Sequence, residues 1–238
     1  MRKRVYMFIS LPVFIVLYAY TAVAVLFIIL FSYLKWKKPI FGLMRFWARS
    51  VFPLMGKKLH VSGRENFDRR KKYILVANHA SMFDITAITA FFPGISWFGH
   101  ERLLKIPLFG RMLRMTDFVP MSVANVTNTR RMLKQLVEKS RDRTIAIFPE
   151  GTRTLSGKIN PFFRGFIYLL RASETDILPV TLNGFFKLKP KNRFHIHFKT
   201  RLEIIIHEPM NGKELSQLED EEILDKVKNA IESGSTIA

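Results

Sequence analysis

The sequence contains no cysteine. This excludes disulfide bonds, thiolate catalysis and a zinc site built on cysteine ligands. Acidic residues are scarce as well: 19 Asp and Glu stand against 38 Lys and Arg, which gives a formal net charge of +19. Such an imbalance implies an anionic partner, either nucleic acid, an anionic membrane surface or phosphorylated substrates. The sequence also has no periodic repeats or low-complexity tracts, which excludes a repeat architecture.

Phenylalanine is abundant, with 22 residues, and hydrophobic residues make up 48% of the chain. A chain that is both basic and rich in phenylalanine is more typical of a protein at a membrane surface than of a soluble nucleic-acid-binding protein. We therefore expect membrane lipids as partners and no nucleic acid, and the oligomeric state stays open. The 238 residues suffice for one domain with its own core plus a membrane segment.

Residues 5–34 carry no charge, and basic residues flank this run on both sides. About 20 apolar residues suffice to cross a bilayer as a helix, whereas the apolar part of a signal peptide spans only ~7–15 residues. The run also ends in Phe31-Ser32-Tyr33-Leu34, which is a poor cleavage site. We therefore predict a retained anchor, which either crosses the membrane or, if Pro12 breaks the helix, dips into one leaflet as two pieces.

Residues 39–58 continue the apolar and basic pattern. Aromatic and aliphatic side chains are interspersed there with Arg45, Arg49, Lys57 and Lys58. The pattern predicts a helix in the headgroup layer, with its basic side chains near lipid phosphates; a helix packed on the protein core is the alternative. The chain is thus predicted to divide into membrane-anchoring and interfacial helices at 1–58 and a globular domain at 59–238.

Short runs rich in β-branched and aromatic residues follow in the globular part. They predict strands at 60–61, 73–77, 95–98, 118–121, 144–148, 177–182, 194–198 and 203–207. Helical patterns lie between them, the clearest at 130–139 with Thr127 or Asn128 as its cap, and another closes the chain at 213–232. This alternation predicts an α/β domain with a mixed, largely parallel sheet flanked by helices. Long connections at 99–117 and 149–164 are where a site is most easily built.

A first candidate site follows the apolar run 73–77, at Asn78 and His79. A helical pattern begins near Asp84, so His79 lies where a strand ends and a helix begins, a usual position for chemistry in α/β folds. The two side chains meet only if a turn separates them and Asp84 lies near the first helical turn. The carboxylate then fixes the imidazole tautomer, and the other ring nitrogen can accept a proton from a hydroxyl. Ser81 is a weaker candidate, as a nucleophile.

A second candidate site follows another apolar strand, where Pro149, Glu150, Gly151, Thr152 and Arg153 form a turn. Gly151 allows a backbone conformation that other residues resist and lets a ligand approach closely. Arg153 is suited to a bidentate pair with a phosphate and Thr152 to donating a hydroxyl hydrogen bond. Glu150 is suited either to binding a hydroxyl or to holding Arg153. A solvated hairpin with a surface Glu–Arg pair is the alternative.

Together and in this order, the two segments resemble the glycerolipid and lysophospholipid acyltransferase family. That family carries N-H-x-x-x-x-D early in its domain and F-P-E-G-T-R-S in its middle. This chain has Asn78-His79 with Asp84, and residues 148–153 followed by Thr154 in place of Ser. Shorter family elements match Lys105-Ile106-Pro107-Leu108-Phe109-Gly110, Phe163-Arg164-Gly165 and Leu178-Pro179-Val180. The resemblance covers roughly residues 58–205.

The resemblance implies transfer of an acyl group from a thioester to the sn-2 hydroxyl of lysophosphatidic acid, giving phosphatidic acid. His79 is then the general base and Asp84 its support. Arg153 clamps the acceptor phosphate, with Lys105 and Arg164 as further candidates. Acyl-CoA or acyl carrier protein is the expected donor, and no metal or bound cofactor is required. We expect the protein at the cytoplasmic membrane, with its active site on the cytoplasmic side.

Other motif residues have assisting roles under this hypothesis. The phosphate pocket is shaped by Glu150, Gly151 and Thr152, and the site is supported by Asn78, Pro149 and Pro179.

One departure from the family pattern concerns the acceptor. The family usually has an Arg after an apolar strand, as in F-V-D-R, and that Arg is thought to help bind the glycerol phosphate. Here the corresponding residue is Met121, which carries no charge. Either the other cations suffice, or the acceptor is a lyso-ornithine lipid or another lysophospholipid. A hydrolase and a non-catalytic, membrane-tethered protein that binds anionic ligands are the remaining alternatives.

Overall fold

Seven strands form one sheet in the structure, a computed structural model that describes residues 2–92, 94–105, 110, 113–114, 118–121 and 126–236. In chain order the strands are β1 (Leu59–Ser62), β2 (Ile74–Ala77), β3 (Ile95–His100), β4 (Val119–Met121), β5 (Thr144–Ile147), β6 (Ile177–Asn183) and β7 (Leu202–Ile206). Across the sheet they lie in the order β1-β7-β6-β2-β5-β3-β4. Neighbouring strands are parallel except β6 and β7. The predicted mixed, largely parallel sheet is confirmed.

Helices cover both faces of this sheet. In chain order they are α1 (Arg2–Tyr33), α2 (Lys37–Leu54), α3 (Phe83–Phe91), α4 (Val126–Asp142), α5 (Gly165–Ser173), α6 (Phe185–Leu188), α7 (Gly212–Leu215) and α8 (Asp220–Ser233). One hydrophobic cluster joins α1, α2 and α3 to one face, and a second joins α4, α5 and α8 to the other. The predicted flanking helices are therefore present.

Alternate residues of β2 enter the two hydrophobic clusters. Leu75 and Ala77 belong to the cluster of α2 and α3, whereas Ile74 and Val76 belong to the cluster of α5 and α8. All four side chains are fully buried, because both faces of a parallel sheet are covered by helices. The strand therefore reads as an uninterrupted apolar run, and it presents the residues that follow it at a rigid edge.

Residues 194–198 do not form the predicted strand. They make an irregular segment that packs along α1, with the ring centroids of Phe194 and Phe14 5.3 Å apart and those of His197 and Tyr6 4.9 Å apart. The Ile196 N–H donates to a hydroxyl oxygen of α1 at 2.8 Å. The prediction was wrong because the apolar residues of this segment are buried by a helix and not by a neighbouring strand.

Two helix boundaries also differ from the prediction. α4 begins at Val126, so Thr127 and Asn128 lie inside the helix and neither is its cap. The helix predicted at 213–232 is two helices, because α7 ends at Leu215 and α8 begins at Asp220. The Asn211 side chain caps α7 by accepting the Lys213 and Glu214 N–H groups.

α1 continues through Pro12 without interruption and lies against the protein along its length. It is long and apolar enough to cross a membrane, and its apolar surface favours membrane association. The buried stripe consists of Ser10, Phe14, Leu17, Ala24, Val25 and Ile28. The exposed stripe includes Phe8, Leu11, Ile15, Val16, Tyr18, Val23, Leu26, Phe27 and Leu30. An apolar face is therefore left uncovered on one side of the molecule.

α2 packs on the protein core, as the alternative interpretation of residues 39–58 proposed. Val51 and Phe52 are buried in the cluster shared with α3. The Arg49 guanidinium donates to the Ala90 carbonyl at 3.0 Å, and Arg45 donates in the same way to the next carbonyl of α3 at 3.4 Å. These cations cap the C-terminus of α3, where helix carbonyls lack partners.

Candidate active site

The C-terminal ends of β2 and β5 lie side by side. The two strands are parallel neighbours, with Val76 opposite Ile147. Residues 78–84 follow β2 and residues 148–164 follow β5, so both candidate motifs begin at the same edge of the sheet. In open α/β sheets this edge is the usual position of a site. The sheet therefore brings together two segments that lie about 70 residues apart in the sequence.

Asn78 fixes the end of β2 against β6. The Asn78 amide donates to the Leu182 carbonyl at 3.1 Å and accepts the Leu182 N–H at 2.7 Å. Pro179 belongs to β6 and lies opposite Val76 of β2. Its carbonyl accepts the N–H of His207, the residue after β7, at 3.0 Å. The two Asn78 hydrogen bonds therefore hold the chain just before His79, and the supporting role of Pro179 stays a prediction.

His79 and Asp84 are in direct contact. The His79 Nδ1 atom lies 2.8 Å from Asp84 Oδ2, and the same oxygen accepts the Ala80 and Ser81 N–H groups at 2.6 and 2.7 Å. The contact exists because residues 80–82 form a turn and α3 begins at Phe83, which puts Asp84 in its first helical turn. The carboxylate is fully buried, so it holds the imidazole in one orientation with the proton on Nδ1.

The His79 ring presents its second nitrogen for chemistry. One ring face stacks on Phe148, with centroids 4.1 Å apart and planes 12° from parallel, and Phe148 in turn stacks on Trp97. The side chain is 16% exposed, and Nε2 has no hydrogen-bond partner among the described residues. An imidazole held at Nδ1 and open at Nε2 is suited to accepting a proton from a hydroxyl.

The buried side chain of Glu150 connects the two motifs. It is 2% exposed, and its Oε1 atom accepts the His79 N–H at 2.5 Å while Oε2 accepts the Asn160 N–H at 2.8 Å. Both oxygens are thus occupied by backbone amides. Glu150 therefore supports the His79 backbone, and the described residues show no ion pair between Glu150 and Arg153.

Glu150 is expected to make stability depend on pH near neutrality. Burial raises the pKa of its carboxyl from 4.5 to about 7, since desolvation outweighs the two amide hydrogen bonds. Between these two pH values the folded protein holds a proton that the unfolded chain releases. The contribution of Glu150 to the free energy of unfolding is therefore fully present below about pH 4.5 and is lost as the pH rises through about 7.

Replacement of Glu150 by Gln removes this titration. Between about pH 5 and pH 8, the free energy of unfolding of Glu150→Gln should therefore rise relative to wild type, by on the order of 3 kcal/mol. Thermal or denaturant unfolding at several pH values measures this difference. Glu208→Gln, which changes an exposed carboxylate, is the matched control. Parallel pH curves for wild type and Glu150→Gln would contradict the assignment.

The turn after Glu150 lies directly over the His79 backbone. The Thr154 N–H donates to the His79 carbonyl at 2.9 Å, and the buried Thr154 hydroxyl accepts a further turn amide. Gly151 has φ +66°, and a β-carbon there would meet the Phe163 ring at 3.2 Å. The buried Pro149 accepts the Phe163 N–H through its carbonyl at 2.8 Å. The positive φ thus favours glycine at position 151, and a larger residue would also have to displace the exposed Phe163 ring.

Arg153 and Thr152 lie on the outer side of this turn, beside a basic segment from later in the chain. The Lys191 Nζ atom lies 3.3 Å from the Thr152 hydroxyl. The charges of Arg153 and Arg193 both act on Lys189, where burial and then these two charges lower the pKa of the ammonium. Positive side chains from two segments thus meet near the catalytic motif.

Lys105 and Arg164 are placed differently from Arg153. The Arg164 guanidinium is paired with Glu221 at 2.6 Å and Asp220 at 3.4 Å, both at the start of α8. Its charge is therefore already balanced by carboxylates. Lys105 is exposed at the end of a 3-10 helix, Glu101–Lys105, and residues 106–109 of its motif lie outside the described residues.

Sequence reasoning missed Ser81 as a structural clamp and Lys189 and Lys191 as neighbours of the motif. The buried Ser81 hydroxyl donates to the Lys189 carbonyl at 2.7 Å, so it is engaged and is not poised as a nucleophile. The available signal was the density of positive charge in residues 187–193. That signal is weak, because most basic runs are solvated surface.

Comparison with known sequences identifies a family. The Acyltransferase family model matches residues 58–183. The 1-acyl-sn-glycerol-3-phosphate acyltransferase of Borreliella burgdorferi is 30% identical over 198 residues, which cover 80% of this chain and 77% of that protein. The chloroplastic 1-acyl-sn-glycerol-3-phosphate acyltransferase BAT2 of Brassica napus is 27% identical over 198 residues, which cover 82% of this chain. The chain spans about half the length of such plant relatives, because the matched residues cover 49% to 57% of those proteins.

Comparison with solved structures gives the same fold. The crystal structure of the 1-acyl-sn-glycerophosphate (LPA) acyltransferase PlsC from Thermotoga maritima matches with a TM-score of 0.81 at 26% identity. The match covers 96% of this chain and 95% of that chain. Because so much of the chain is covered, the likeness extends from the sheet into α1 and α2.

Proposed function

We propose that this chain, which belongs to the acyltransferase family, transfers a fatty acyl group from a thioester to the sn-2 hydroxyl of 1-acyl-sn-glycerol 3-phosphate. The product is phosphatidic acid. The observation that carries the proposal is the His79–Asp84 pair, whose Nε2 is open while its Nδ1 is held by a buried carboxylate. A protein that only binds anionic lipids needs no such pair.

The reaction follows from the open nitrogen of His79. Nε2 accepts the proton of the acceptor hydroxyl as the oxygen attacks the thioester carbonyl. Asp84 stabilises the imidazolium that forms. When the tetrahedral intermediate collapses, the carbon–sulfur bond breaks and His79 returns the proton to the leaving thiolate. The donor is acyl-CoA or acyl carrier protein, and either would be attracted to the positive surface. No metal or bound cofactor enters this reaction.

α1 and α2 position this chemistry at a membrane surface. α1 lies along α2, with the Tyr20 hydroxyl 2.8 Å from Ser50 Oγ and the Trp47 indole donating to Thr21 at 3.1 Å. A full crossing by α1 would therefore draw α2 and its polar contacts into the bilayer, at a large cost. We propose instead that residues 1–58 anchor the domain in one leaflet through the exposed face of α1, on the cytoplasmic side.

Arg153 is assigned to the acceptor phosphate in this proposal. Arg153→Ala should raise KM for the acceptor about 10- to 100-fold and leave KM for the acyl donor nearly unchanged, since a guanidinium–phosphate pair is lost. Saturation kinetics with each substrate measure this difference. Arg164→Ala is the matched control, because that guanidinium is already paired with α8. An equal rise in the KM for the acceptor in both variants would contradict the assignment of the phosphate to Arg153 and not to Arg164.

An acceptor panel tests the substrate itself. The purified protein is given labelled acyl donor with lysophosphatidic acid, lysophosphatidylcholine, a lyso-ornithine lipid or monoacylglycerol, each in vesicles of the same composition. Lysophosphatidic acid should give the highest kcat/KM. Preference for lyso-ornithine lipid would establish the alternative acceptor, and release of free fatty acid without any lipid product would indicate a hydrolase.

A further inference from the structure

Three cations near His79 have no carboxylate partner among the residues that the structure describes. These residues, Arg153, Lys189 and Lys191, are called here the cation cluster. Within the described part of the chain none of them forms an ion pair, in contrast to Arg164 and Arg171, which pair with α8. Like charges held close together without a counter-ion are unfavourable, and a bound anion removes that cost.

The segment that carries the two lysines is held rigidly against the catalytic motif. The Lys189 carbonyl accepts the buried Ser81 hydroxyl at 2.7 Å, two residues after His79. The Arg193 guanidinium donates to the Leu188 carbonyl at 2.9 Å and to the His195 carbonyl at 3.2 Å, which closes the loop behind the lysines. The backbone of Lys189 is therefore held beside His79. The Lys189 ammonium donates to the Pro190 carbonyl at 3.1 Å, and the exposed Lys191 ammonium donates to the Thr152 hydroxyl at 3.3 Å.

We propose that Lys189 and Lys191 bind the phosphate of the acceptor together with Arg153 and so determine the choice of head group. This inference rests on the proposed function and extends it to a segment outside the matched family region of 58–183. The phosphate of lysophosphatidic acid is a monoester that carries nearly two negative charges near neutral pH. Three cations around one site favour it over zwitterionic or uncharged head groups.

A second source of phosphate is the donor, because CoA also carries phosphate groups. Position favours the acceptor as the ligand of the cluster. The Thr154 N–H ties the turn of Arg153 to the His79 carbonyl, and the Ser81 bond ties Lys189 to the same loop. The cluster is thus built onto the segment that activates the acceptor hydroxyl. A glycerol phosphate is short, so its phosphate and its sn-2 hydroxyl must be bound close together.

The test compares Lys189→Gln/Lys191→Gln with Lys187→Gln in the full-length protein. Lys187 belongs to the same basic segment but lines a separate cavity of about 570 Å³, which contains neither His79 nor Arg153. The double variant should raise KM for lysophosphatidic acid at least tenfold, with a small change in kcat and an unchanged KM for acyl-CoA. Activity towards monoacylglycerol, which lacks phosphate, should be the same as in Lys187→Gln.

The outcomes separate this inference from the proposed function. If the wild-type protein forms no phosphatidic acid, the proposed function itself fails. If it does, a KM for lysophosphatidic acid equal to that of Lys187→Gln overturns the role of the lysines, and a raised KM for acyl-CoA assigns them to the donor instead. Lys191→Gln alone changes an exposed side chain. It should raise the KM for lysophosphatidic acid and leave the midpoint of thermal unfolding unchanged. Lys189→Arg/Lys191→Arg should restore most of the affinity.

Discussion

His79→Ala is expected to lower kcat for acyl transfer by a factor on the order of 10²–10⁴ while the protein stays bound to membranes. The acceptor hydroxyl then has no base, because Asp84 is buried and cannot reach it. The variant keeps α1 and its exposed apolar face, which does not depend on the imidazole. Formation of phosphatidic acid in vesicles and the fraction of protein that sediments with them measure the two properties separately.

His60→Ala is the matched control for this loss. His60 lies on β1, at the edge of the sheet, so its removal changes a histidine outside the candidate site. It should retain close to wild-type activity. Activity of His79→Ala within a few-fold of this control would remove the general base from the mechanism.

Asp84→Asn is expected to have the second large effect, a fall in kcat on the order of 10²–10⁴ with little change in either KM. The amide oxygen can still accept the Ala80 and Ser81 N–H groups, so the turn keeps two of its hydrogen bonds. A neutral amide, however, does not stabilise an imidazolium as a carboxylate does. Initial rates at saturating donor and acceptor measure kcat.

The two residues should act as one unit. Combined with His79→Ala, the Asp84→Asn change should cost little more than His79→Ala alone, because the carboxylate works only through the imidazole. Losses that multiply in the double variant would show that Asp84 acts elsewhere. A thermal unfolding curve for Asp84→Asn distinguishes lost chemistry from lost folding, since the carboxylate is fully buried.

The parallel strands and the catalytic pair were accessible from the sequence because local patterns determine them. Buried strands such as β2 and β5 are continuous apolar runs, and the residues after them must meet at one sheet edge. The spacing of His79 and Asp84 allowed one arrangement in which they touch, and the structure has it. Their catalytic roles remain predictions that the variants above test.

Contacts between distant segments could not be read from the sequence. Residues 194–198 have the composition of a strand, but α1 buries them, and no local pattern reveals that helix as their partner. Arg45 and Arg49 looked like lipid-facing cations because their true partners, the last carbonyls of α3, lie more than 40 residues away. The same limit concealed the acidic partners of Arg164 on α8.

The sequence also did not reveal which polar groups support the candidate site from within the protein. Glu150 and Arg153 share one turn, and the sequence left open whether the carboxylate binds a hydroxyl or holds the guanidinium. Burial separates them instead: the carboxylate turns inward to the His79 and Asn160 amides, and the guanidinium stays near the basic segment. Which side of a turn faces the core depends on packing and hydrogen bonds with distant segments, here on the His79 amide that Glu150 binds.

Direct transfer through His79 is tested most directly by a rapid-quench experiment with a labelled acyl thioester and 1-acyl-sn-glycerol 3-phosphate. With both substrates, the wild-type protein should release thiol and form labelled phosphatidic acid at equal rates, and both rates should be about 10²–10⁴-fold lower in His79→Ala. Without acceptor, no label should become attached to the protein. Labelled protein in that acceptor-free mixture, or phosphatidic acid from His79→Ala at the wild-type rate, would contradict the mechanism.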